Sequence, residues 1–235
     1  RELYNVSPLG CVGMFLLGGV FAAQFGMSPV YGTQAGLSLG QVSLFVAAFY
    51  VGALVLQYPL GWISDRMDRR QLICAVAAIG GAAAVVALVS GGVFEILLFA
   101  AFLVGGCSNP LYSLLLAYTN DFLESDDMAS ASAGLLFING MGAIAGPLII
   151  GWAIGFFGPW GFWLLIAGLL GALAGYALFR MTQRPAPAVE DTGLYTPLSP
   201  TTTPIAVEVA QEYAIEVAEE EAEALEAQEA RDSAA

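Results

Sequence analysis

At 235 residues, with 58% hydrophobic and 11% charged side chains, this chain is more apolar than a soluble domain, for which about 45–50% is usual. Its net charge of −13 belongs to one end: residues 190–232 hold twelve of the twenty acids, whereas residues 1–180 carry eight acids and five Arg. Arg is the sole basic residue, so a His-ligated metal site and a His general base are excluded, and the scarcity of basic residues argues against nucleic-acid binding.

The chain opens on RELYNVSPLG, which lacks the basic, apolar and small-residue order of a signal peptide. Six apolar runs follow, each near the ~20 residues a helix needs to cross the hydrocarbon. They are Pro8–Gly32, Gln41–Ile63, Leu72–Gly91, Glu95–Tyr118, Ala129–Phe157 and Pro159–Phe179. Met128 to Phe179 is uncharged and too long for one crossing. Gly158-Pro159 divides it, because Pro lacks an N–H and clashes with the preceding turn. The runs do not alternate polar and apolar as barrel strands do, so helices are expected. Cys11, Cys74 and Cys107 lie in apolar runs and read as small buried hydrophobes.

Between the second and third runs, PLGWISDRMDRRQL (Pro59–Leu72) gathers Asp65, Arg66, Asp68, Arg69 and Arg70. No charge occurs from Leu3 to Ser64 or from Gln71 to Phe94. A charge at a helix centre costs about 2.5–3.5 kcal/mol on insertion scales, so five together mark a loop. Arg66, Arg69 and Arg70 follow the second span, and Arg180 and Arg184 follow the sixth. With six spans these places share one side, together with Arg1, and the positive-inside rule makes that side cytoplasmic. Both termini are expected there. Trp160 and Trp163 fall near the outer interface and Trp62 near the inner one.

A faint internal repeat accompanies the span count. Shifting the chain by 88 residues places Phe49, Gly52, Pro59 and Leu60 on Phe137, Gly140, Pro147 and Leu148. GMSPVY (Gly26–Tyr31) in the first span also parallels GCSNPLY (Gly106–Tyr112) in the fourth. The second span runs inward and the fifth outward, the pattern of an inverted three-plus-three repeat. Residues 1–7 form a short leading segment, 8–180 the membrane domain and 181–235 an acidic tail. The tail begins as a Pro- and Thr-rich linker. Its acidic stretch is either a solvated helix or disordered.

Gly61-x-x-x-Asp65-Arg66-x-x-Arg69-Arg70, in a short loop after a second span, resembles the signature loop of the major facilitator superfamily. Asp68 stands where that family has Gly, a departure that puts the usual charge pairing in question. Gly142-Ala143-Ile144-Ala145-Gly146-Pro147, then Gly151, resembles the family's fifth-helix motif, in which small residues four apart permit close helix approach and Pro bends the span. The resemblance covers about residues 8–180. It implies an all-α membrane protein whose six transmembrane helices make one half of a major facilitator fold, built from two inverted three-helix repeats. The SPLG opening, AYTND after the fourth span and the lack of an initiator Met are similar to C-terminal halves of bacterial members without an assigned substrate. Arg usage without Lys, with much Ala and Gly, agrees with a GC-rich bacterial genome. A bacterial cytoplasmic (inner) membrane location is expected.

By the resemblance, Gly61, Asp65, Arg66, Arg69 and Arg70 form a cytoplasmic gate, with Asp65 facing a neighbouring helix N-terminus. The fifth span, which starts on this side, offers one. The resemblance also puts the first and fourth spans against the central cavity and the third and sixth against lipid. Polar content agrees: Gln24 and Ser28 in the first span and Ser108, Asn109 and Tyr112 in the fourth are candidate substrate-facing residues, each with an interhelical hydrogen bond as the alternative. Asn139 faces either the cavity or another helix. No carboxylate lies deep in a span, so no proton relay is evident. No cofactor or metal is expected, and no nucleotide loop or nucleophile–base set suggests an enzyme.

The expected partners are the lipid bilayer, an N-terminal six-helix half or a second copy, and a small-molecule substrate of unknown identity. The expected activity is transport by alternating access. The alternative is a six-span interaction or scaffold protein that homodimerises and docks through its acidic tail.

Overall fold

Ser7 starts the bundle. Its hydroxyl accepts the Gly10 N–H at 3.2 Å, with Pro8 in the first turn, where a missing N–H costs nothing. In the computed structural model, which describes residues 2–123 and 125–183, the helices are α1 (Glu2–Val6), α2 (Pro8–Phe21), a π-helical segment (Ala22–Met27), α3 (Ser28–Gln34), α4 (Leu39–Ser64), α5 (Arg69–Val89), α6 (Phe94–Asn120), α7 (Ser125–Phe157) and α8 (Trp160–Met181). No strand occurs among the described residues. The first span is α2, the π segment and α3 together (Pro8–Gln34). The other five are α4 to α8, so six helices have membrane-crossing length and apolarity, in the expected order. Arg1, Arg184 and nearly all of the expected tail lie outside the described residues.

The two ends of the bundle are built differently. At the end away from the Arg cluster, the three turns use left-handed glycines: Gly36, Gly91, Gly92 and Gly158, with φ of 78°, 66°, 87° and 70°. Only Gly adopts this conformation without a Cβ penalty. At that end Ser38 and Gln41 form a reciprocal capping box that starts α4. Nearby, Tyr31, Phe45, Phe162 and Trp163 interlock, with Tyr31 stacked on Phe162 at 4.7 Å and Trp163 edge-on to Phe45 at 5.8 Å. Trp163 is fully buried in this cluster rather than anchored at the interface, which corrects the sequence expectation. Trp152, Phe156 and Trp160 supply the exposed rings there.

The helix packing obeys the inverted repeat. The principal pairs are α4 with α6, α2 with α7 and α5 with α8, followed by α5 with α6 and α2 with α8. Exchanging the first three spans with the last three leaves this pattern unchanged. Two glycine crossings carry the symmetry. A Cβ on Gly18 would collide with the Asn139 carbonyl, and one on Gly142 with the Phe15 carbonyl. Likewise, a Cβ on Gly105 would collide with the Phe49 carbonyl, and one on Gly52 with the Phe102 carbonyl.

These crossings correct the register of the repeat. Phe15 and Gly18 correspond to Phe102 and Gly105, an offset of 87, while Phe49 and Gly52 correspond to Asn139 and Gly142, an offset of 90. The four matches at an offset of 88 all pair the second span with the fifth, where the crossings give 90, and the likeness of GMSPVY to GCSNPLY does not follow the crossing either. The informative signal was FLLGG (Phe15–Gly19) against FLVGG (Phe102–Gly106). Gly-Gly in a span permits the close backbone approach that a larger residue forbids.

Candidate functional site

The charged loop is short because both of its helices end on its own acids. The Asp65 N–H closes α4 on the Gly61 carbonyl at 3.3 Å. Asp68 caps α5: its carboxylate accepts the Arg70 N–H at 2.9 Å and pairs with the Arg70 guanidinium at 2.9 and 3.1 Å. A Gly in this place would supply neither bond. Burial works against the Asp68 carboxylate, yet the hydrogen bonds and charge of Arg70 outweigh it and hold its pKa below the ordinary carboxylate value.

Arg69 is the centre of the set. Its guanidinium bonds the carboxylate of Asp121, the residue that ends α6, and its Nε donates to Ser64 Oγ at 3.3 Å. Asp65 approaches the same guanidinium at 3.8 Å. Three helix ends, those of α4, α5 and α6, are therefore tied at one point. Arg66 is turned outward: it stacks 4.1 Å over the Trp62 ring and donates to the Trp62 carbonyl at 2.9 Å. Asp121 was not singled out in the sequence. Its signal was being the first acid after the fourth span, on the same side as the Arg cluster.

The packing motif divides. Gly142 meets α2 at Phe15 and Gly18, and Gly146 meets Gly19 of α2 and Ala22 of the π segment. Pro147 is exposed within α7, and a Cβ on Gly151 would meet nothing within 4 Å. The close approaches on the other side of the pseudo-symmetry, Gly52 and Gly105, lie outside that motif.

Of the polar residues of the first and fourth spans, Gln24 and Ser108 meet directly, in a seam between the two. The π segment carries Gln24 to α6, where its Nε2 donates to Ser108 Oγ at 2.6 Å and to the Val104 carbonyl at 3.5 Å. Ser28 caps the Gln24 carbonyl one turn on. Asn109 donates to the Gly105 carbonyl at 3.2 Å and is half-buried, and Tyr112 is buried against Phe21. Asn139 stands apart from this group: its Nδ2 donates to the Met14 carbonyl at 3.0 Å, which is an interhelical bond at the Gly18 crossing.

An uncharacterized MFS-type transporter of Bacillus subtilis (strain 168), YfkF, is 27% identical over 164 residues, covering 65% of this chain and 39% of that protein. A second, from Enterobacter sp. (strain 638), is 24% identical over 148 residues, covering 59% of this chain and 35% of that protein. The crystal structure of an auto-inhibited POT family peptide transporter superposes with a TM-score of 0.63 at 15% identity, over 77% of this chain and 38% of that one, a likeness of fold. The chain thus spans about two fifths or less of the length of each of these proteins. The family model of the Major Facilitator Superfamily matches residues 10–212, and the chain, a multi-pass membrane protein, belongs to that superfamily.

Proposed function

We propose that these six spans form one half of a secondary transporter that moves a small molecule by alternating access, rocking against a second six-span unit. The observation that carries this reading is the exposed apolar flank of α4 and α7. Leu54, Tyr58, Ile144, Leu148 and Trp152 on these two helices are all exposed, while the first and fourth spans are largely buried. The pseudo-symmetry relates α4 to α7, so the two flanks are equivalent surfaces. The coverage of the relatives supports a six-helix unit within a larger assembly.

The Arg distribution supports placing the Asp65–Arg70 end in the cytoplasm of a bacterial cell, with the bundle in the inner membrane. Arg69 and Asp121 brace the helix ends within this half. Asp65, at 29% side-chain exposure against 4% for Asp121, is the acid offered at the rim and acts as the gate contact with the second unit. Opening at this end separates Asp65 from that unit and leaves the brace intact.

The test is uptake and efflux of a substrate panel by proteoliposomes containing the product of the complete reading frame. Asp65→Asn is expected to slow transport and favour the inward-open state, read by cysteine labelling from each side. Unchanged transport with normal insertion would remove Asp65 from the gate. The particle mass in nanodiscs separates a twelve-span chain from a homodimer. If no solute is moved, and truncation after Met181 abolishes function with the helices intact, a docking role replaces transport.

A further inference from the structure

One polar atom in the seam is left over. Both N–H groups of the Gln24 amide point at α6, and the Ser108 hydroxyl passes its own proton to the Gly105 carbonyl at 3.3 Å. Gln24 Oε1 is buried and has no donor among the described residues. An acceptor held in this state is a standing cost to the fold, because burial has removed its water. Gln24 lies in the π-helical segment Ala22–Met27, and such segments within α-helices are frequent at functional sites.

Aromatic rings from three spans gather at the same level. Phe21 stacks on Phe25 at 5.7 Å, Tyr112 lies 6.2 Å from Phe21, and Tyr50 of α4 lies 5.1 Å from Phe25. The arc runs from buried Phe21 and Tyr112 to Tyr50, which is 55% exposed, so it leads from the bundle surface to the amide. The charge inventory narrows the ligand. No basic residue occurs from Gln71 to Phe179 or from Glu2 to Asp65. An anion finds no counter-charge inside these spans, whereas a cation finds π-faces and amide oxygen.

We propose that Gln24 Oε1 and the Phe21–Phe25–Tyr50–Tyr112 arc recognise the N–H group of a lipophilic organic cation. The nitrogen donates to Oε1, and the apolar body of the ligand lies against Phe25 and Tyr50. This rests on the transporter-half reading and specifies what that half carries. In the present conformation the seam is shut and Gln24 is sealed. The ligand reaches Oε1 when the π segment moves away from α6 and the Ser108 bond opens.

The experiment is equilibrium dialysis of the detergent-purified product of the complete reading frame with three probes. Rhodamine 6G is a cation with N–H donors, tetraphenylphosphonium is a cation without them, and fluorescein is an anion. Both cations are expected to bind and fluorescein is not. Gln24→Leu is expected to weaken rhodamine 6G about tenfold or more and tetraphenylphosphonium less than about twofold. Tyr50→Leu, which keeps an apolar side chain on the α4 flank, is expected to weaken both cations. Equal effects of Gln24→Leu on the two cations would assign Gln24 to packing alone and overturn the proposal. Preferential binding of fluorescein would also overturn it and leave the transport reading standing. Binding of none of the three would do the same, with transport still judged by the substrate panel and Asp65→Asn.

Discussion

Arg69, the first residue of α5, forms an ion pair with Asp121, the residue that ends α6, and their side chains are only 2% and 4% exposed. Burial at this level costs both charges their water, and mutual neutralisation with the added Ser64 bond offsets that loss. The pair therefore holds three helix ends in one arrangement.

Removing one partner leaves the other's buried charge less compensated, at a cost of up to about 3–5 kcal/mol, and the loss is the smaller for Asp121→Asn because Asp65 still stands 3.8 Å from the Arg69 guanidinium. Asp121→Asn and Arg69→Gln should each lower the thermal midpoint of the purified protein steeply. The double variant should lose much less than the sum of the two. A double-mutant cycle with no coupling energy would show that the pair does not act as a unit.

The glycine crossings predict paired sensitivities. Gly52→Ala and Gly142→Ala, equivalent under the pseudo-symmetry, each force a methyl group into a facing backbone carbonyl. Overpacking of this kind costs about 1–3 kcal/mol. Gly140→Ala and Gly151→Ala face open space and should be neutral or slightly stabilising, since Ala exceeds Gly in helix propensity by about 0.8–1 kcal/mol. Thermal denaturation of the four variants checks the contrast, and a loss at Gly151 matching that at Gly142 would contradict it.

Asp68 gives a pH dependence with a definite sign. Its pKa is lower in the folded protein than in the unfolded chain, so its stabilisation is complete above the ordinary Asp value of about 3.9 and disappears as pH falls through the lowered folded value. Asp68→Asn keeps a helix cap and removes the charge. The stability gap between wild type and Asp68→Asn should be constant from pH 7 to about 5 and close at lower pH. A gap that widens on acidification would reverse the assignment.

Asn139 and Gln24 should separate in function. Asn139 spends its amide on the Met14 carbonyl, a bond of the kind that contributes about 0.6 kcal/mol on average between membrane helices. Asn139→Ala should lower stability by about that amount and leave the affinity for any transported probe unchanged. A selective loss of affinity would place Asn139 in the cavity instead.

Much of the membrane domain was legible because it depends on local properties. Run length, the absence of charge and the Arg at alternate loops give six helices and their order without any contact information. Asp68 shows the limit of motif reading. Its departure from the family's Gly raised doubt about the loop's charge pairing, yet the structure uses it as cap and ion-pair partner for Arg70. Asp121 was passed over because an acid at a span end looks like any loop charge until the fold brings it to Arg69. The repeat was found in the wrong register because Phe, Gly, Pro and Leu recur throughout apolar spans, so four coincidences at a shift of 88 carry little register information, whereas the crossings put Gly52 on Gly142. FLLGG and FLVGG carried the better signal.

The amino-acid sequence by itself determined that this is a six-span helical membrane protein, which end bears its charge and which superfamily loop it carries. Those features follow from the cost of exposing backbone and charge to hydrocarbon, a cost set residue by residue. Only the tertiary structure decided which acid Arg69 binds, which glycines let the helices cross, that Trp163 is core, and that Gln24 enters the seam with one oxygen unpartnered. Each of these depends on the rotation and depth of one helix against another. The apolar pattern fixes such relations weakly, because lipid and a neighbouring helix are nearly equivalent surroundings for an apolar face.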